Sequence, residues 1–183
     1  MKRNNFLAYL YTLIGFLFFS TNTIAQKFPD DWQGTWQGEM TIYNTQTTNT
    51  VKVPVEFVIL PTDTTGRWIW RTIYQPTQLT GGKAVIKDYR LVVINLATQE
   101  YAVDEQDSIV LKSFWLNQHL YCSFMVEGAL FNVVYQFNNT EKITWEIFYS
   151  DNQINNTGGQ NNSPTVGVYN IKGLQRTEVT RKR

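Results

Sequence analysis

Residues 109–149 read IVLKSFWLNQHLYCSFMVEGALFNVVYQFNNTEKITWEIFY, and four apolar faces follow one another there at a spacing of two. Ile109, Leu111 and Trp115 share the first. Leu120, Cys122, Phe124 and Val126 share the second. Phe131, Val133, Tyr135 and Phe137 make the third, and Ile143, Trp145, Ile147 and Tyr149 the fourth. Period-two alternation is the signature of strands with one buried face. The joints are tight: Asn117-Gln118, Glu127-Gly128 and residues 138–141. Short joints force neighbours in sequence to pair antiparallel, so this stretch predicts a meander.

The pattern extends upstream. Trp36, Met40 and Ile42 oppose Glu39 and Thr41, and Val51, Val53, Val55, Phe57 and Ile59 oppose Lys52, Pro54 and Glu56. Pro54 lacks a backbone N–H, which predicts a bulge or a local break in pairing. Further strands are expected over 67–74, 85–94 and 101–103, the second with no inward face assigned, and a last one over 166–171 that breaks at Gly173. The count is eight to ten strands. A flat meander of that length leaves two exposed edges, and closing the sheet removes both. The expected fold is therefore all-β, an up-and-down antiparallel β-barrel of 8–10 strands. A barrel of that size encloses packed side chains or one small ligand.

Residues 1–25 read as a signal peptide. Lys2 and Arg3 are followed by an apolar run from Phe6 to Phe19, and Thr23-Ile24-Ala25 places small residues before Gln26. The run is short for a membrane span, which needs about 20 residues. Residues 26–183 are then one barrel domain, exported to a periplasmic or extracellular space of a bacterial type. Residues 151–164 are dominated by Asn, Gln and Gly and predict a flexible loop.

The chain carries a net charge of +1, and losing Lys2 and Arg3 brings it to −1. Such balance gives no electrostatic case for nucleic acid as a partner. The basic end Arg181-Lys182-Arg183 reads as a solvated terminus. With a single cysteine no intrachain disulfide forms, so the core alone must hold the fold. At 43% hydrophobic and 15% aromatic, the composition supplies one.

Little in the sequence supplies catalysis or metal binding. The one histidine, His119, adjoins the Asn117-Gln118 turn. Cys122 lies between Leu120 and Phe124 on an apolar face, where a thiol behaves as a small hydrophobe. No cluster offers the N and S ligands of a zinc site, and Asp104, Glu105 and Asp107 lack the spacing and glycine of a calcium loop. No cofactor is expected. Three Asn-x-Ser/Thr sequons, starting at Asn138, Asn155 and Asn161, reflect the abundance of asparagine.

Arg67-Trp-Ile-Trp-Arg71 presents a choice. Turned inward, Trp68 and Trp70 line an aromatic interior and the arginines are solvated. Turned the other way, Arg67 and Arg71 grip a ligand anion. Burying a large apolar side chain stabilises by about 2–3 kcal/mol, whereas an unpaired buried charge costs several, so the tryptophan-inward orientation is favoured.

The segment Phe28-Pro-Asp-Asp-Trp32 followed by Gly34-Thr-Trp36-Gln-Gly38 resembles the opening of lipocalin-type proteins, the calycin group. The Trp-Gly repeat is also similar to nitrobindin-like barrels. The resemblance implies a short helical turn leading into the first strand, with Trp36 plugging the closed end and a late arginine covering it. Arg176 is the first candidate for that cover and Arg181 the second. The chain departs from the lipocalin pattern in lacking disulfides, and from the nitrobindin pattern in lacking a late histidine for haem. The resemblance further implies a cup for a small apolar or amphipathic molecule, with Trp68, Trp70, Tyr74, Trp115, Phe124, Tyr135 and Trp145 as cavity candidates. The alternative is a side-chain-filled barrel acting as a structural or interaction module of the cell envelope. An enzyme working at the cavity mouth is a third reading, for which no acid–base pair is found.

Overall fold

The computed structural model describes residues 27–158, 164 and 166–183. The signal-peptide reading and the sequon at Asn161 lie outside these residues. A single turn of 3-10 helix, Asp30–Trp32, leads into ten strands: β1 (Gly34–Asn44), β2 (Thr47–Pro61), β3 (Arg67–Tyr74), β4 (Val85–Asn95), β5 (Glu100–Asp104), β6 (Val110–Leu116), β7 (His119–Val126), β8 (Ala129–Asn139), β9 (Lys142–Gly158) and β10 (Val166–Arg181). Each pairs antiparallel with its neighbour in sequence, and β1 pairs with β10 from Trp36↔Arg181 to Asn44↔Gly173. The sheet is a closed ten-stranded barrel.

Turn chemistry fixes the register of the central hairpins. Asn117 and Gln118 both take positive φ (48° and 62°), as do Glu127 and Gly128 (49° and 77°). Two successive left-handed residues twist a hairpin in the sense that matches its strands. The apolar faces of the meander then point into one core built around Trp36, Phe57, Trp70, Leu91, Leu120, Phe137, Ile143 and Trp145, each at most 1% exposed.

Three sequence expectations are corrected. Pairing runs through Pro54 without a break, from Glu39↔Pro54 to its neighbours on either side. The Pro54 carbonyl accepts from Gln75 N at 2.9 Å, just past the end of the β2–β3 ladder, so the missing N–H falls where that ladder stops. Secondly, residues 151–158 are not a loop. They continue β9 and pair with β10 up to Gly158↔Val166, beyond the points where β8 and β1 leave these strands at Asp151 and Gly173. The segment has no apolar period because a two-stranded arm outside the barrel has no buried face; Ile154, Val166, Val168, Tyr169 and Ile171 are all exposed. Thirdly, Gly173 does not end β10, which runs on to Arg181. A side chain there would meet the Tyr149 ring at 2.8–2.9 Å, so the glycine makes room for an aromatic neighbour rather than breaking the strand.

Candidate functional site: one sealed end and one open cavity

The two ends of the barrel differ in kind. At the first, the 3-10 turn folds inward and carries Phe28 and Trp32 onto the strands. Phe28 stacks on Trp115 with centroids 3.8 Å apart and meets Phe137 edge-on at 5.1 Å. Three indoles there find acceptors. Trp32 Nε1 donates to Asn139 O (2.8 Å), Trp36 Nε1 to Trp32 O (3.0 Å) and Trp68 Nε1 to Asp30 Oδ1 (3.2 Å).

Arg181 lies across this end. Its guanidinium carbon is 4.4 Å from the centre of a Trp36 ring, and its nitrogens donate to the carbonyls of Gln33 (2.6 Å), Thr140 (3.0 Å) and Asp31 (3.2 Å). Gly34 takes φ 139°, and a Cβ on it would lie 2.9 Å from Arg181 Nη1. The glycine two residues before the tryptophan thus leaves room for the covering guanidinium. Arg176, the first candidate for the cover, is not at this end. It is exposed on the outer surface, pairing with Glu146 at 3.4 Å. Strand alternation explains the exchange: Arg176 falls on the outward parity of β10, shared with exposed Glu178, whereas Val179 and Arg181 fall on the inward one.

At the other end a cavity of about 400 Å³ opens inside the barrel, within the range for one small-molecule ligand. Val103, Leu111, Val133 and Ile147 give it apolar walls. Phe124 and Phe131 line it on one side and continue through Tyr149 as a cross-strand stack, with centroids 5.4 Å apart at each step. Polar groups share the lining: Thr72, Tyr74, Tyr89, Tyr135, Gln175 and the Cys122 thiol, together with Lys87 and Glu105.

Of the sequence candidates, Tyr74, Phe124 and Tyr135 line this cavity. Trp70 and Trp145 are buried in the core and pack on Tyr135 at centroid distances of 5.1 and 5.6 Å. Trp115 lies at the sealed end with Phe28 and Trp32, and Trp68 is tied there through Asp30. Alternation assigns a residue to the inner face but not to a height along the barrel axis, and height separates cavity wall from plug. Arg67 and Arg71 are outside, as the tryptophan-inward orientation requires. Arg67 pairs with Asp104, and Arg71 makes a two-pronged contact with Asp88 at 2.8 and 3.1 Å. The Arg71 hydrogen bond holds the Asp88 carboxyl below its ordinary range. With those forks occupied, neither arginine is placed to meet a molecule inside the barrel.

Sequence reasoning missed Thr72, Lys87, Tyr89, Glu105 and Gln175 as lining residues. Lys87 and Tyr89 share the inward parity of β4 with buried Leu91, but Val85 to Ile94 carries apolar residues on both faces, so the inward side was not legible. Glu105 lies past the end of β5 in a stretch that reads as a turn.

Burial raises the phenol pKa of Tyr74, and those of Tyr89 and Tyr135 rise well above the usual range from the same cause. The Glu105 carboxylate adds to the effect at Tyr89, and the Tyr74 hydroxyl at Tyr135. Burial likewise raises the Cys122 thiol. All three phenols are therefore neutral at ordinary pH. A folded pKa above the unfolded value of about 10 contributes stability that is fully present below that pH and lost as pH rises toward the folded values. Absorbance at 295 nm is expected to show these tyrosines ionising only with unfolding above pH 10. Smooth titration of every tyrosine near pH 10 in folded protein would contradict the enclosure.

No protein-family model matches the sequence, and no curated protein matches it. Among solved structures, the fold is similar to the S-type phycobiliprotein lyase CPES from Guillardia theta, with a TM-score of 0.59 at 7% identity over 84% of this chain and 90% of that one. It is also similar to a protein of unknown function from the DUF3598 family of Nostoc punctiforme, with a TM-score of 0.56 at 13% identity over 84% of this chain. This chain matches 48% of the Nostoc protein, about half its length. At these identities the likeness is one of fold alone, a closed antiparallel β-barrel.

Proposed function

We propose that the protein is an exported carrier or receptor that holds one small apolar or amphipathic molecule in the open end of its barrel, without acting on it chemically. The observation that carries this reading is the contrast between the ends. One is filled by stacked aromatic rings beneath Arg181, while the other keeps about 400 Å³ open between apolar side chains and a set of polar ones, as an amphipathic occupant requires. A barrel serving only as a structural module gains from filling both ends, since an unfilled apolar space forfeits packing. The fold likeness to a phycobiliprotein lyase adds an analogy in the same direction, at the level of fold alone.

Binding of this kind draws on apolar burial, with polar groups setting orientation. Native mass spectrometry of the protein purified from its own host tests it. The expected result is a retained mass of a few hundred daltons that is released on denaturation. A clean apo mass, together with no uptake of any apolar probe, would favour the filled-module alternative. Export is tested separately: the intact mass of the secreted or periplasmic protein is expected to match a chain starting at Gln26. A chain still starting at Met1 would remove this part of the proposal.

A further inference from the structure

Two phenol hydroxyls, of Tyr135 and Tyr74, line the cavity. Tyr135 lies between Trp70 (5.1 Å), Trp145 (5.6 Å) and Phe57 (5.9 Å), so neighbouring rings fix its direction. Among the described residues neither its hydroxyl nor that of Tyr74 donates to a protein acceptor, whereas Tyr89 has the Glu105 carboxylate acting on its phenol. The Trp70 indole N–H is fully buried with no hydrogen-bond partner. It lies beside the Tyr135 hydroxyl and acts on it, short of full hydrogen-bond geometry. Even if Tyr135 accepted that N–H, its own O–H would still need somewhere to go. The two phenol hydroxyls face the open cavity, so an occupant that covers them must either accept their hydrogen bonds or leave them as costly unpaired donors.

From this arrangement we infer that the molecule bound in the cavity carries a carbonyl-type acceptor oxygen, which enters first and takes hydrogen bonds from the Tyr135 and Tyr74 hydroxyls, while its apolar body lies along Val103, Leu111 and Val133. The inference rests on the binding reading above and narrows it from any apolar molecule to an oxygenated one. A pure hydrocarbon would fill the same walls but leave the phenols unsatisfied. The site distinguishes acceptor from non-acceptor through the desolvation cost, as sites built to hydrogen-bond a ligand do.

The test uses two probes of matched shape, 2-acetylnaphthalene and 2-isopropylnaphthalene, in which the carbonyl oxygen of one is replaced by a methyl group in the other. Cys122, the only cysteine, lines the cavity and reports where a probe sits, since an occupant shields it from alkylation. In the wild type the ketone is expected to protect Cys122, and its C=O stretch to fall below the value in hexane. Tyr135→Phe is expected to weaken the ketone relative to the hydrocarbon by roughly 3–10-fold, the worth of one buried hydrogen bond. Tyr74→Phe/Tyr135→Phe together should abolish the carbonyl shift while both probes still protect Cys122. The rings are kept in these variants, and an unchanged melting curve confirms that the fold is kept too. If the bound ketone shows the hexane frequency, if the double variant keeps the shift, or if the ketone binds without protecting Cys122, the inference is overturned and the binding reading stands. If neither probe binds, the inference is overturned, and the binding reading falls with it if the protein from its own host also shows a clean apo mass.

Discussion

Gly38→Val is expected to cost about 3 kcal/mol or more of stability, within the upper range for overpacking a site that cannot relax. Gly38 lies in the seam where the first strand meets the last, paired with Val179. A Cβ built on it falls 1.9 Å from the Glu178 carbonyl oxygen and 2.9 Å from both the Glu178 carbon and the Val179 Cα. All three are backbone atoms, which cannot rotate aside as a flexible side chain can. The strands must separate, and separation at this seam opens the barrel and exposes two edges. Alanine already supplies the colliding atom, so Gly38→Ala is expected to show most of the effect. Urea unfolding followed by tryptophan fluorescence measures it. As a comparison, Gly81→Ala adds a Cβ in open space at φ 67° and should cost only the strain of that backbone conformation, about 1 kcal/mol. An unchanged midpoint for Gly38→Ala would refute the β1–β10 register.

Closure was legible in the sequence because it follows from strand count and joint length. The run from Ile109 to Tyr149 states both, and its parity carries Leu120, Tyr135 and Trp145 to the inner face where the structure has them. What failed to read was of two sorts. The β9–β10 arm looked like a loop since Asn and Gln carry no apolar period, yet the ladder that holds it is made by backbone groups that every residue except proline supplies. The division of the inner face into plug and cavity was hidden for another reason. Trp68 and Trp70 are two residues apart on one face, but Trp68 is tied to the sealed end through Asp30 and Trp70 packs beneath the cavity against Tyr135. Height along the axis depends on strand offset around the whole barrel, a long-range property absent from any one segment. The exchange of Arg176 for Arg181 has a different reason: each is basic and late, and with the last strand expected to stop before Gly173 neither has a face, whereas the parity of β10 against β1 decides which reaches Trp36.

Trp36→Ala is expected to lose about 3–5 kcal/mol, the usual cost of emptying a buried aromatic site, while leaving the opposite cavity able to bind. The side chain is fully buried, and its loss removes more than volume. The Trp32 carbonyl loses its donor, and the Arg181 guanidinium loses the ring at 4.4 Å beneath it while still anchored to the Gln33 and Thr140 carbonyls. Those anchors should keep the arginine in place, so the two residues are coupled only through the ring. A double-mutant cycle with Arg181→Ala is then expected to give a coupling of about 0.5–2 kcal/mol, the range for a cation held over an aromatic face. Arg181→Lys should not substitute for the original, since one ammonium cannot serve three separated carbonyls and also lie flat on an indole. Thermal unfolding read by near-ultraviolet circular dichroism gives the stabilities, and protection of Cys122 by 2-acetylnaphthalene gives the binding. A loss below 1 kcal/mol would mean that Phe28, Trp32 and Trp115 seal the end without Trp36. A variant that folds but no longer protects Cys122 would mean that the ends are not independent, and that the plug helps to shape the cavity it lies opposite.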